Sequence, residues 1–145
     1  SELDIYENTN STVFDIDITY SQIEIDILKL VNKYRTDNSL SKLETLNVIS
    51  SVADSHTNYM IENGAVSHDN FQERVTKLQN IANAKSIGEN VAYGYNSAQA
   101  VLNGWLKSPD HKKIIETPSF THYGISTKTD EDGRNYFTQI FIKKV

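Results

Sequence analysis

Three side chains in this sequence have the types and surroundings for acid–base or metal chemistry: His68, Glu89 and His111. Glu89 follows Gly88 at the mouth of a short apolar strand, Asn90 to Tyr93, and is expected to point away from the core while Val91 and Tyr93 turn into it. His111 lies three residues into a helix opened by Ser108 and Pro109, where backbone N–H groups face outward. That helix end disfavours imidazolium, so His111 should stay neutral near pH 7 and keep a lone pair. His68 stands in the polar turn Ser67-His68-Asp69-Asn70 between two helical stretches, free to serve a cleft or to hydrogen-bond the cap residues. Two neutral imidazoles and one carboxylate suit Zn²⁺ or a similar divalent ion with water in the open position. Such a metal would lower the pKa of its water and make the trio hydrolytic. No Ser or Cys stands in a nucleophile motif, and Glu89 could serve as ligand or base but hardly both, so catalysis is the weaker reading.

The elements that must position these groups are legible in part. Ser21-Gln22-Ile23-Glu24 is a capping box, followed by Ile23, Ile27, Leu30, Val31 and Tyr34 on one face of a helix ending near Asp37 or Asn38. A second helix is predicted from about Glu44 to Asn63, stopped by Gly64 in the left-handed region. It carries His56, whose polar neighbours Ser55, Thr57 and Asn58 mark it as a hydrogen-bonded core or rim residue rather than a ligand. A short helix from Phe71 to Leu78, capped by Asp69 or Asn70, precedes a loop to Ser86 and the strand at Asn90. Ser97 caps a helix with Ala100, Val101, Gly104 and Trp105 inward, Ser108-Pro109 restarts it as a brief helix to Ile115, and Thr117-Pro118-Ser119 breaks the pattern. The C-terminal part reads as a hairpin, His122–Lys128 and Asn135–Lys144 around Asp130 to Arg134. Together these give an α+β fold, a three-layer α-β-α sandwich with a three- to four-stranded, mainly antiparallel sheet.

Composition bounds the function. A chain of 145 residues suits one domain, and 38% apolar with 10% aromatic residues places it among globular proteins. The net charge of −5, without a basic stripe, excludes nucleic acid as the expected partner. With no cysteine, nothing depends on a disulfide, a thiolate metal site or a Cys nucleophile. No apolar run approaches the roughly 18 residues of a membrane span. Residues 1–20 are expected to form an extended tether or edge segment, with Phe14, Ile16 and Ile18 alternating with Asp15 and Asp17, and residues 21–145 the domain proper.

Several short motifs also occur in a telling order. Ser67-His68, Gly88-Glu89-Asn90, Trp105, Ser108-Pro109-Asp110-His111, Tyr123-Gly124-Ile125 and Tyr136 to Phe141 together resemble the bacterial branch of the CAP superfamily, the SCP or PR-1-like domain, over residues 21–145. The resemblance implies the same α-β-α sandwich and a cleft tetrad of two histidines and two acidic residues. Matched motif to motif, those positions fall on His68, Glu89, His111 and Ser108, the last a serine where the family has its second glutamate. Ser108 is expected instead to cap the helix that carries His111. The resemblance further implies an exported or surface-displayed domain, a lipoprotein among the options, that binds a small lipid-like ligand or a host protein. Tyr93, Tyr95 and Phe71 are expected to line the cleft. No cofactor is required on this reading, though Zn²⁺ on His68, His111 and Glu89 is allowed. A metal-dependent hydrolase and a purely structural cleft, with recognition by surface loops, stand as alternatives.

Overall fold

A computed structural model describes residues 16–145. Its elements are α1 (Gln22–Asp37), β1 (Glu44–Thr45), α2 (Asn47–Asn63), α3 (Phe71–Ala82), β2 (Ala84–Tyr93), α4 (Ala98–Lys107), α5 (Pro109–Ile115), β3 (His122–Thr129) and β4 (Asn135–Lys144). The four strands form one sheet in the order β1-β3-β4-β2. β4 pairs antiparallel with β3 and β2, and β1 adds a short parallel edge on β3.

Alternation along β4 sends neighbouring side chains to opposite faces and so builds two cores. Phe137 and Phe141 join Ile27 and Val31 of α1, Val101 and Trp105 of α4 and Ile115 of α5. Ile140 and Ile142 pack under Ile49, Val52 and Ala53 of α2 and Leu78 and Ala82 of α3. The sheet is therefore covered on both faces, the three layers expected from the sequence.

Local chemistry explains the helix ends. The Ser21 capping box forms as read, and Glu24 also accepts from the Thr127 N–H at 2.8 Å, tying the start of α1 to β3. Gly64 ends α2 at φ 67°, and the Ser97 hydroxyl caps α4. At the far end of α1 the fully buried Arg35 donates Nη1 to the carbonyls of Ile115 (2.7 Å) and Thr117 (3.0 Å). Nearby, the Tyr34 hydroxyl meets the Glu116 carboxylate and the Tyr123 hydroxyl donates to the Leu28 carbonyl at 2.6 Å. α2 rests so closely on β3 that a Cβ added at Gly124 would fall 2.5 Å from the Ser50 backbone nitrogen.

Three boundaries differ from the sequence reading. Glu44 and Thr45 form a strand rather than the start of α2, because their backbone pairs with His122 and Tyr123. α3 runs on to Ala82, and the expected loop to Ser86 is helix followed by strand: Asn83 alone, left-handed at φ 53°, makes the turn into a ten-residue β2. Ser108 stands at the N-cap of α5 but its hydroxyl makes no capping bond; its backbone N–H instead closes the end of α4 on the Trp105 carbonyl. Ile16 to Tyr20 have no strand pairing; Ile16 packs on the α2–α3 core, its carbonyl accepting from Asn47 Nδ2 at 2.8 Å, and the Tyr20 hydroxyl donates to Asn47 Oδ1 at 2.8 Å. The expected alternation at Phe14 and Asp15, and the proposed tether over residues 1–13, fall outside the described residues.

Candidate functional site: a buried carboxylate under an open cleft

β2 forms the edge of the sheet opposite β1, and both helical layers overhang it. Beneath the overhang lies a cleft of about 320 Å³, walled by Phe71, Ile87, Ile114 and Phe120, with His68 and Glu89 as its polar members. Gly88 forms its floor because any side chain there would fill it: a Cβ would sit 3.0 Å from both Ile114 and Phe120.

Glu89 points inward, contrary to the expectation from its place after Gly88. Residues 89 and 91 share one strand face, so the carboxylate follows Val91 under the α2–α3 layer, with 4% of the residue exposed. Tyr93 carries the difference, 39% exposed at the strand end, with its hydroxyl on Arg134. A buried carboxylate needs partners, and it has them. Arg74 of α3 forks onto it, Nε to Oε2 and Nη2 to Oε1, both at 2.7 Å. Arg74 is in turn held by the Asp69 carbonyl at 2.7 Å and lies over the Phe71 ring. The His68 Nδ1–H donates to Oε1 at 2.8 Å. This leaves the His68 Nε2 edge turned toward the cleft and solvent, the side chain half exposed at 52%.

His56 completes the cluster. Its Nε2–H donates to the Ser67 carbonyl at 2.6 Å, which fixes the tautomer and pins the turn carrying His68. The same nitrogen is 3.9 Å from the Glu89 carboxylate, too far for a hydrogen bond but close enough to feel its charge. Burial would raise the Glu89 carboxyl pKa, but the hydrogen bonds from His68 and Arg74 and the guanidinium charge outweigh it and hold it below the ordinary value. Burial pushes the His56 imidazole down, reinforced by Arg74 and opposed by the Ser67 carbonyl and Glu89. Burial, then the charge of His68, also lowers His111. The direction agrees with the sequence reading, while the cause is desolvation rather than the helix end.

The structure thus brings His68 and Glu89 into direct contact, with His111 near enough to feel the charge of His68 but bonded to neither. His111 is half-buried on α5 in the other layer, its carbonyl accepting from Asn90 Nδ2 at 3.1 Å, and the cleft lining includes neither it nor Ser108. Of the expected aromatic lining only Phe71 is present, since Tyr95 packs over Gly104 on the α1–α4 side. Among the described residues no three His, Cys, Asp or Glu side chains converge as a metal-ligand set. Both Glu89 oxygens already face a guanidinium, which occupies the place a cation bound by that carboxylate would need. The residues therefore do not fit a metal held jointly by His68, Glu89 and His111.

Arg74 was the residue missed, whereas His56 is the hydrogen-bonded core residue that the sequence reading made it; each carried a signal. Phe71, Arg74, Leu78 and Ala82 fall on one helical stripe, as do Val52, Ala53, His56 and Met60. A charged or titratable side chain inside an apolar stripe is buried and must be paired.

Sequence comparison reaches the same place as this geometry. The family model of the Cysteine-rich secretory protein family, CAP, matches residues 28–141. The chain belongs to the CAP family. An uncharacterized membrane protein of Bacillus subtilis, YlbC, is 34% identical over 130 residues, covering 83% of this chain and 34% of its own length. A second B. subtilis protein, YkwD, is 28% identical over 141 residues, covering 95% of this chain and 53% of its own. The CAP domain described here thus spans about a third and about half of these relatives. Among solved structures, an outer surface protein of Borrelia burgdorferi superposes with a TM-score of 0.78 at 22% identity, covering 88% of this chain and 97% of its own. An extracellular protein with an SCP domain from Bacillus anthracis gives 0.72 at 26%, covering 90% and 45%. The α+β sandwich is therefore the CAP fold, shared with an extracellular SCP-domain protein and an outer surface protein of bacteria. Among the described residues no helix is long and apolar enough to cross a membrane.

Proposed function

We propose that this CAP domain is a non-catalytic binding module of an exported protein, and that the cleft over Glu89 takes a small amphipathic ligand. One observation carries the reading: Glu89 is saturated by Arg74 and His68, so the polar group presented to the apolar cleft is the outer edge of the His68 imidazole. An apolar body seats against Phe71, Ile114 and Phe120 over the Gly88 floor, while one polar group meets His68 Nε2. The Glu89 carboxylate orients the ring for this from behind, as carboxylates do for functional imidazoles elsewhere. Display outside the cytoplasm draws support from the extracellular and outer-surface proteins that share the fold.

Indole, an apolar ring with one N–H, is a suitable probe. Titration followed by amide chemical shifts should move Gly88, Glu89 and Phe120, and Gly88→Val, which fills the floor, should abolish the change. Shifts that persist unaltered in Gly88→Val would remove the cleft from consideration.

A second reading is hydrolysis, favoured by the carboxylate–imidazole pair, since an oriented His68 could act on a water molecule as a general base. A covalent route lacks a side-chain nucleophile among the described residues, since Ser67 is not in the cleft lining and its hydroxyl accepts from the Asp69 N–H, so water would have to be the attacking group.

A further inference from the structure

At the sheet edge opposite the cleft, a groove of about 530 Å³ runs between α1 and β1. Its floor is apolar, from Ile25, Leu28 and the Tyr123 ring, and its rim carries Lys29, Lys33 and Lys42. All three lysines are exposed and, among the described residues, no acidic one lines the groove, although the whole chain carries a net charge of −5. Lys33 does reach Asp37 at 2.7 Å, but that pair is exposed on both sides (69% and 59%) and holds its partner only weakly. Glu44, next to Thr45 in the chain, turns to His122 at 3.4 Å and stays out of the groove.

The backbone supplies a second feature. The N–H groups of Glu44 and Leu46 donate to β3, to the carbonyls of Thr121 and Tyr123 at 3.0 and 3.1 Å. In a parallel ladder the residues flanking Glu44 face the other way: Leu43 is closed there by the Asn32 side chain, which bonds its N–H and C=O at 2.8 and 2.9 Å, so the peptide N–H and C=O of Thr45 are the ones left directed away from β3. Thr45 is exposed and lines the groove.

We propose that this groove docks an extended acidic peptide segment of a partner protein, added as a strand alongside β1. Main-chain bonds would run through Thr45, acidic side chains would meet Lys29, Lys33 and Lys42, and alternate apolar side chains would lie on Ile25 and Leu28. The charge complementarity selects an acidic partner in particular, and the site is separate from the Glu89 cleft, so the two proposals stand or fall independently.

The probe is a short fluorescent peptide alternating Glu and Val, titrated into the whole chain by anisotropy. It should bind, weaken as salt rises, and shift the amides of Lys42, Thr45 and Leu46. Against Lys29→Glu/Lys33→Glu/Lys42→Glu, shown folded by circular dichroism, affinity should fall about tenfold or more, since each exposed charge contact contributes a factor of roughly two to five. A peptide with Lys in place of Glu should not bind. No binding by the Glu peptide overturns the proposal and leaves the lysines as guards of an open edge. Equal binding to parent and variant overturns it too, as does equal binding of the Lys peptide. Binding lost in His68→Ala but kept in the lysine variant would place the peptide in the cleft and equally overturn it.

Discussion

Arg74 and Glu89 meet through two parallel contacts of 2.7 Å, with the guanidinium and the carboxylate both almost completely buried. This pair decides what the cleft can do. A carboxylate held in a fork by a cation is a fixed receptor for the histidine beside it rather than a free base or ligand.

Breaking the pair from one side should therefore be costly. Arg74→Ala leaves a buried carboxylate without its cation and is expected to destabilise the domain by about 3–5 kcal/mol in urea denaturation. Arg74→Met/Glu89→Met, which removes both charges and keeps volume, should lose much less than the sum of the two single changes. A fully additive double variant would mean that the pair is not coupled.

Acid sensitivity should arrive in two steps. His56 and His111 have imidazoles lowered from their ordinary 6.5, so the folded state resists protons that the unfolded chain accepts; their stability contribution is full above that value and drains away as pH falls below it. Glu89 is lowered from 4.5, so its contribution is present above that value and lost as pH falls through the folded pKa. Urea midpoints measured across pH should fall in both windows. Glu89→Gln should erase the lower one and, by removing the charge that holds the His56 imidazole up, deepen the upper one; a lower window that survives the change would assign it elsewhere.

Metal is tested at position 108. Because the Ser108 hydroxyl caps nothing, Ser108→Glu should leave stability within about 0.5 kcal/mol of the parent. The parent should bind Zn²⁺ weakly at most, given that Glu89 is engaged by Arg74. If position 108 borders the histidines, calorimetry on Ser108→Glu should find tighter binding, lost again in His68→Ala/His111→Ala. An affinity no higher than the parent's would show that the family's second acidic position has no counterpart in space at residue 108.

Peptide hydrolysis should be absent. Among the described residues no side-chain nucleophile stands beside the His68–Glu89 pair, and Glu89, held by Arg74, is not free to act as a base, so the purified domain is expected to show no peptidase turnover above background, with or without divalent metal. Steady turnover abolished by Glu89→Gln would reverse the ranking of the two functional readings.

Packing gives the last test. Gly124→Ala pushes a methyl into the Ser50 backbone and hydroxyl at 2.5 and 2.7 Å, contacts that only movement of α2 relieves. A loss of about 1–3 kcal/mol is expected by thermal unfolding, where a neutral result would mean that α2 shifts freely over β3.

What could be read in the sequence was local. The Ser21 box, the Gly64 stop, the Ser97 cap and the β3–β4 hairpin are each set by a few adjacent residues, and each is present. β1 was not legible because two residues become a strand only by meeting His122. α3 was read short because Asn80 and Asn83 look alike in sequence, whereas Asn83 alone takes the left-handed turn. In the site, His68 and Glu89 were found as residue types, but their relation was not. The inward turn of Glu89 follows from strand parity, and its saturation depends on Arg74, a residue 15 positions away that only the packing of α3 on β2 brings near.

The anchoring of Arg35 has a consequence for the order in which the molecule is made. α1 carries its own start signal, yet the carbonyls that receive its buried guanidinium belong to residues 80 and 82 positions later. During synthesis the first helix can coil but cannot seat, because its cation has nowhere dry to go until Thr117 has emerged. α1 is thus locked only after the segment around Thr117 has been made. In the finished protein α1 and the stretch from α5 into β3 should open as one unit in hydrogen exchange, a clasp between two segments about 80 positions apart in sequence.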